Sequence, residues 1–228
     1  MIMIVRSFDV ETTRFPPRAA VCELGWTDVS ILDGQIQVGK PTGMLLNPGR
    51  PIPAEASAIH GIYDTDVTNS PNVSIGFREL TNGADVFCAH NAEFERNFFG
   101  TPETRIICTY KVALVLFPDA PNHRNGGLAE HFASELSIDP ALAVPLHRAG
   151  PDSYVTAHLL AFFLQRMSVE EMLKVSRAPR QITRMPFGKH KGVQIEELPT
   201  DYMQWAVSGL SNAPDIVAAM KRALKTRE

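Results

Sequence analysis

Cysteine is scarce in this chain: Cys22, Cys88 and Cys108 are the only three among 228 residues, and they stand far apart in apolar surroundings. That spacing offers neither a disulfide framework nor the close pairs of a structural zinc site, so all three read as reduced core residues. Long apolar runs are missing as well. The opening Met-Ile-Met-Ile-Val meets Arg6 and then Asp9, too soon for a signal-peptide core or a membrane span, and a cytoplasmic protein without membrane contact is expected. There is no internal repeat and no large excess of either charge. With 22 basic and 25 acidic side chains the net charge is −3, which counts mildly against a polyanionic partner. That objection weakens if a carboxylate cluster holds divalent cations, because they reverse the local sign of the field. What the chain does have is a 44% hydrophobic content, enough for a core of ordinary size in one domain with an appendage.

Apolar periodicity predicts strands over 2–9 and 21–32, with 35–47 completing an antiparallel meander through the Asp33-Gly34 turn. Helices are expected near 54–60 and 72–82. A buried strand at 84–90 then passes into a helix capped by Asn91 and carrying Phe94, Phe98 and Phe99. A short strand at 105–108 and helices near 109–117, 126–135 and 152–167 follow, and Ser168 with Glu171 has the spacing of a capping box for one more helix. Strands first, then strands alternating with helices, favour an α/β fold, a mixed sheet covered by helices. Arg177, Pro179, Arg180 and Arg184 mark a linker over 177–185 between a main domain, 1–176, and a small module, 186–228.

Three segments carry candidate chemistry. In Phe8-Asp9-Val10-Glu11-Thr12-Thr13 the acids stand two apart on one face of a strand end, where they can share a hard cation; a surface strand with alternating acids looks the same. His90-Asn91-Ala92-Glu93-Phe94-Glu95 sets polar groups where a buried strand ends, a common place for ligand sites, and equally reads as a capped helix with solvated acids. His147 precedes Asp152 across the Gly150-Pro151 turn, and Asp152 also suits a helix start on electrostatic grounds alone.

Taken together and in this order, the segments resemble the DEDDh exonucleases, the DnaQ-like 3′-to-5′ exonuclease family, over residues 1 to about 176, and among them bacterial exonuclease X. The similarity extends to Ile107-Cys108-Thr109 and to the region after the linker. It implies an RNase H-like sheet flanked by helices, with Asp9, Glu11, Asp152 and Glu95 as ligands for two Mg²⁺ or Mn²⁺ ions and Asp9 bridging them. His147 becomes the general base, since an imidazole is largely neutral at pH 7 to 8. Ala58-Ile59-His60-Gly61-Ile62 resembles the segment beside the scissile end, with Ile59 against a base and His60 near the sugar or phosphate. Thr12, His90, Asn91 and Phe94 complete the implied substrate-binding set. Glu95 stands where the family has aspartate, one methylene longer, so a nucleic-acid-binding module with weak or absent turnover stays open beside the enzyme. The implied substrate is a single-stranded or frayed 3′ end, DNA or RNA. A free-standing enzyme is favoured over a polymerase proofreading subunit, and a homodimer stays open.

In the tail, Lys189, His190 and Lys191 beside Phe187 suit a nucleic-acid backbone and a stacked base. A solvated basic turn above a small core of Phe187, Tyr202 and Trp205 fits equally. A last helix over 213–226 carries Ile216, Val217, Met220 and Leu224 on one side.

Overall fold

A computed structural model describes residues 2–179, 182–185, 187–210 and 213–227. The chain divides into two compact units, residues 1–176 and 177–228. In the first, β1 (Met3–Thr12) pairs antiparallel along its length with β2 (Val21–Leu32). The Asp33-Gly34 turn has both φ positive, 48° and 80°, the pairing that matches the twist of a tight hairpin, and delivers β3 (Gln35–Val38) onto β2. β4 (Thr42–Leu45) continues along the same edge of β2, after a break whose Pro41 has no N–H to give the ladder. On the other side of β1 lie β5 (Val86–Ala89) and β6 (Ile106–Cys108), both parallel, for a sheet order β3-β2-β1-β5-β6.

Helices α1 (Ala54–His60), α2 (Asp64–Val67) and α3 (Val73–Thr81) precede β5, and α4 (Thr109–Leu116), α5 (Asn125–His131), α6 (Ala149–Leu164) and α7 (Val169–Arg177) follow β6. Alternate residues of β1 serve two cores. Val5 joins Val86, Ile107, Leu159, Leu160 and Phe163, whereas Phe8 and Val10 join Leu24, Leu80, Phe87 and Phe99. The capping box before α7 is made, with Ser168 N–H donating to Glu171 and Glu171 N–H to the Ser168 hydroxyl.

Two expectations are corrected. No α-helix follows Asn91; its φ of 67° is left-handed rather than the extended conformation of an N-cap, and only a 3₁₀ turn at Glu95–Asn97 forms before Gly100. Asn97 takes the Glu93 and Phe94 carbonyls with its side-chain amide, which ends the helical ladder early. α6 begins three residues before Asp152, because the Ala149 N–H, orphaned at a helix start, donates to the Glu23 carboxylate on β2.

In the second unit, Met185 and Val193 face each other across a turn with Gly188 and Gly192 at positive φ, followed by α8 (Thr200–Gly209) and α9 (Pro214–Lys225). Arg180 of the expected linker and Pro186 lie outside the described residues. The core here is Met185, Ile195, Leu198, Met203, Ile216 and Met220, and of the expected Phe187, Tyr202 and Trp205 only Tyr202 packs against it. Phe187 is 47% and Trp205 60% exposed.

Candidate active site

The face of β1 that carries Val5 also carries Ser7, Asp9 and Glu11, and it lies beneath α6. Ser7 donates its hydroxyl to the Ser153 carbonyl, and Thr27 of β2 meets the Ser153 hydroxyl at 3.0 Å, so the first turn of α6 is tied to both strands. Gly25, the partner of Asp9 in the β1–β2 ladder, lets the helix approach. A Cβ there would sit 2.1 Å from the Ala149 carbonyl carbon and 2.2 Å from the Gly150 nitrogen. This contact sets Asp152 over β1: oxygens of Asp9, Glu11 and Asp152 all lie within 4.8 Å of one another. Gly25→Ala is expected to push the start of α6 off the sheet, costing about 1–3 kcal/mol of stability as other overpacked sites do. Chemical denaturation and a cleavage assay check this, and a variant of unchanged stability and activity would show that α6 does not need the contact.

Crowding of the acids shifts their protons. Burial, then Glu95, Glu11 and Asp152, hold the Asp9 pKa well above the usual carboxylate range. Burial, then Asp152 and Glu23, raise Glu11 to about 8 against the opposing pull of Arg148. Burial lifts Asp152 to about 6, opposed by the charge and backbone N–H of His147. Glu95, 3% exposed in its 3₁₀ turn, is pushed up to about 8 by burial, and its Oε2 has no hydrogen-bond partner among the described residues. Glu95 stands outside the three-carboxylate group but near enough to Asp9 to be its strongest charged neighbour. Hard oxygen donors, excess negative charge and an orphaned buried carboxylate oxygen are what a divalent cation satisfies.

A pH dependence follows. Glu11 and Glu95 keep their protons in the fold to about pH 8. An unfolded chain has released them by about pH 5, so it binds fewer protons than the fold and stability falls as pH rises between those limits. A divalent cation binds the deprotonated cluster, so the Tm gain from Mg²⁺ or Mn²⁺ is expected to grow across the same window. Thermal melts with and without chelator test it; a cation that leaves Tm unmoved at pH 8 contradicts it.

His147 is exposed and left-handed, φ 57°, in the loop before α6. Next to it Arg148 grips Glu23 with Nε and Nη2 at 2.6–3.1 Å, so the loop is anchored to β2 directly beside the acids. A groove of about 420 Å³ opens from Glu11 and Thr12 between Phe15, Ile59, His60 and Phe94. Ile59 is 60% exposed in it. His60 is turned inward, with Nδ1 accepting the Ile62 N–H and Nε2 facing the Cys22 sulfur, which leaves it a wall residue rather than one reaching for a sugar or phosphate. His90 is likewise committed, its nitrogens bonded to the Thr109 hydroxyl and the His123 carbonyl, and burial lowers its pKa to about 4. Asn91 is exposed at the turn after it.

The Exonuclease family model matches residues 7–160, a span that holds every acid of the cluster, His147 and the groove. The chain belongs to this exonuclease family. Exodeoxyribonuclease 10 of Escherichia coli strain K12 is 28% identical over 228 residues, 97% of this chain and 99% of that protein. A DNA polymerase III subunit epsilon-like protein of Rhodobacter capsulatus is 34% identical over 127 residues, 51% of this chain but 18% of its own. A solved structure, exonuclease X in complex with 5′ overhanging duplex DNA, is 30% identical with a TM-score of 0.63, covering 75% of this chain and 99% of that one. Residues 180–210 match a second model, described as a putative quorum-sensing-regulated virulence factor. The α/β architecture expected from the sequence is thus the exonuclease fold. No helix among the described residues is long and apolar enough to cross a membrane.

Glu23, Gly25, Arg148 and Phe15 also surround the site of this exonuclease, although none of them belongs to a motif in the sequence. Glu23 had a signal, a lone acid inside the apolar run Val21-Cys22-Glu23-Leu24, and is 3% exposed. Phe15 is 81% exposed and meets Phe94 edge-on at 6.2 Å across the groove.

Proposed function

We propose that the chain is a divalent-metal-dependent 3′-to-5′ exonuclease releasing nucleoside monophosphates from single-stranded or frayed DNA ends. The observation that carries this is the convergence of Asp9, Glu11 and Asp152, from a strand and a distant helix, within 4.8 Å. Two Mg²⁺ or Mn²⁺ ions, held by these three with Glu95 alongside, would neutralise charge at the phosphate and lower the pKa of the attacking water. His147 would accept a proton from the attacking water at a ring nitrogen. Its exposure beside Asp152 leaves it open to solvent, while Arg148 and Glu23 hold its loop against drift. Ile59, Phe15 and Phe94 give the terminal base an apolar seat, and the Asn91 amide, free of a strand or helix ladder, suits a hydrogen bond to the end.

DNA is favoured because the relative of nearly equal length is an exodeoxyribonuclease and the similar structure holds a DNA duplex. The free-standing form is favoured because that relative matches end to end, whereas the polymerase-related protein matches in part. A 5′-end-labelled single-stranded DNA oligomer with Mg²⁺ should yield a ladder shortening from the 3′ end that chelator stops, and a matched RNA oligomer measures discrimination. Absence of products from both polymers with both cations would overturn the proposal. Salt-sensitive binding without cleavage in that experiment would instead favour a binding module whose longer Glu95 fails to complete the metal site.

A further inference from the structure

The second unit differs sharply from the first in charge. Residues 177–228 carry nine basic and five acidic side chains, net +4, while residues 1–176 carry thirteen basic and twenty acidic, net −7. The field of the nuclease unit repels a polyanion beyond its immediate site, and the tail unit attracts one. Within the tail, the turn between Gly188 and Gly192 raises Lys189 and Lys191 into solvent. The His190 ring at its tip meets Tyr202 edge-on at 4.4 Å, and Tyr202 leans on Trp205 at 5.7 Å. Tyr202 packs partly against the core of the unit, while the end of the row at Trp205 stands outside it. Trp205 is 60% exposed, whereas the unit packs around Met185, Met203 and Met220. The row runs from the turn that bears the two lysines to the exposed indole. It suits a ligand with flat faces and a negative backbone, on which rings stack while ammonium groups meet phosphates.

We propose that Lys189, Lys191 and the row His190, Tyr202, Trp205 form a binding surface for single-stranded nucleic acid, on a unit other than the one that holds the acidic site. The choice of nucleic acid as ligand rests on the exonuclease reading above. Such a surface would hold the strand while the other unit works at its end, and it would tolerate any sequence because every base has a face to stack.

The test measures anisotropy of fluorescein-labelled (dT)30 and (rU)30 on the full chain in chelator, where cleavage plays no part. Trp205→Ala is expected to weaken binding about tenfold, as loss of one stacked base does. The double variant Lys189→Ala, Lys191→Ala should weaken it too and flatten the slope of log affinity against log salt by about 1.4, two phosphate contacts at about 0.7 each. Both lysines sit on an exposed turn, so this variant reads binding even if Trp205→Ala disturbs the fold. Wild-type affinity and slope in both variants, or no binding by the wild-type chain, would overturn the surface. Loss of nuclease activity would leave this readout standing, and failure here leaves the acidic site to its own cleavage assay.

Discussion

Asp9→Asn is expected to lower kcat by about 10³-fold or more while the chain stays folded, because the substitution keeps the shape and removes one charge from the group that must hold the cations. Asp9 is the acid that every other member acts on: Glu95, Glu11, Asp152 and Glu23 all raise its pKa. Holding Asp9 protonated in the metal-free fold costs stability at any pH above its ordinary pKa, and asparagine carries no such cost, so Tm in chelator near pH 7 should rise as activity disappears. A merely structural aspartate would give the opposite pair, reduced Tm and activity lost in proportion to unfolded protein. The check is kcat on a 5′-labelled oligomer together with a melt in chelator. Wild-type cleavage by Asp9→Asn would place the chemistry elsewhere.

His147→Asn should cost kcat about 10²–10⁴-fold, the usual worth of a general base, with KM and metal binding unchanged. Asparagine is the informative replacement because the backbone at 147 is left-handed, φ 57°, a conformation that asparagine tolerates and alanine resists. Added imidazole should restore part of the rate if the ring moves a proton, and do nothing if the ring only fills space. A variant with raised KM and normal kcat would make His147 a contact to substrate instead.

Much of this site was legible in the sequence because local rules govern it. Period-two alternation puts Asp9 and Glu11 on one face of β1, and Pro151 with Asp152 suits the first turn of a helix, although that helix starts earlier, at Ala149. What stayed hidden depends on contacts between distant segments. Glu23 reaches across to Arg148 and to the Ala149 N–H, and Gly25 matters only because a helix 125 residues on lands upon it. The family resemblance implies substrate contacts for His60 and His90, and the fold engages both rings in internal bonds with Ile62 and with Thr109 and His123. The helix expected after Asn91 failed for a local reason that composition does not reveal, a left-handed backbone at the strand exit. Of the ring core expected from Phe187, Tyr202 and Trp205, only Tyr202 packs against the methionines and isoleucines that fill that space, and the other two rings stay outside.

Electron paramagnetic resonance of Mn²⁺ reads the acidic cluster most directly, since free Mn²⁺ gives a sharp signal that binding broadens away. Convergence of Asp9, Glu11 and Asp152 on one place predicts saturable uptake of two ions per chain, sharply reduced by Asp9→Asn, Glu11→Gln or Asp152→Asn alone. A signal that stays free at every ratio of ion to protein, or uptake that all three variants leave unchanged, would contradict it.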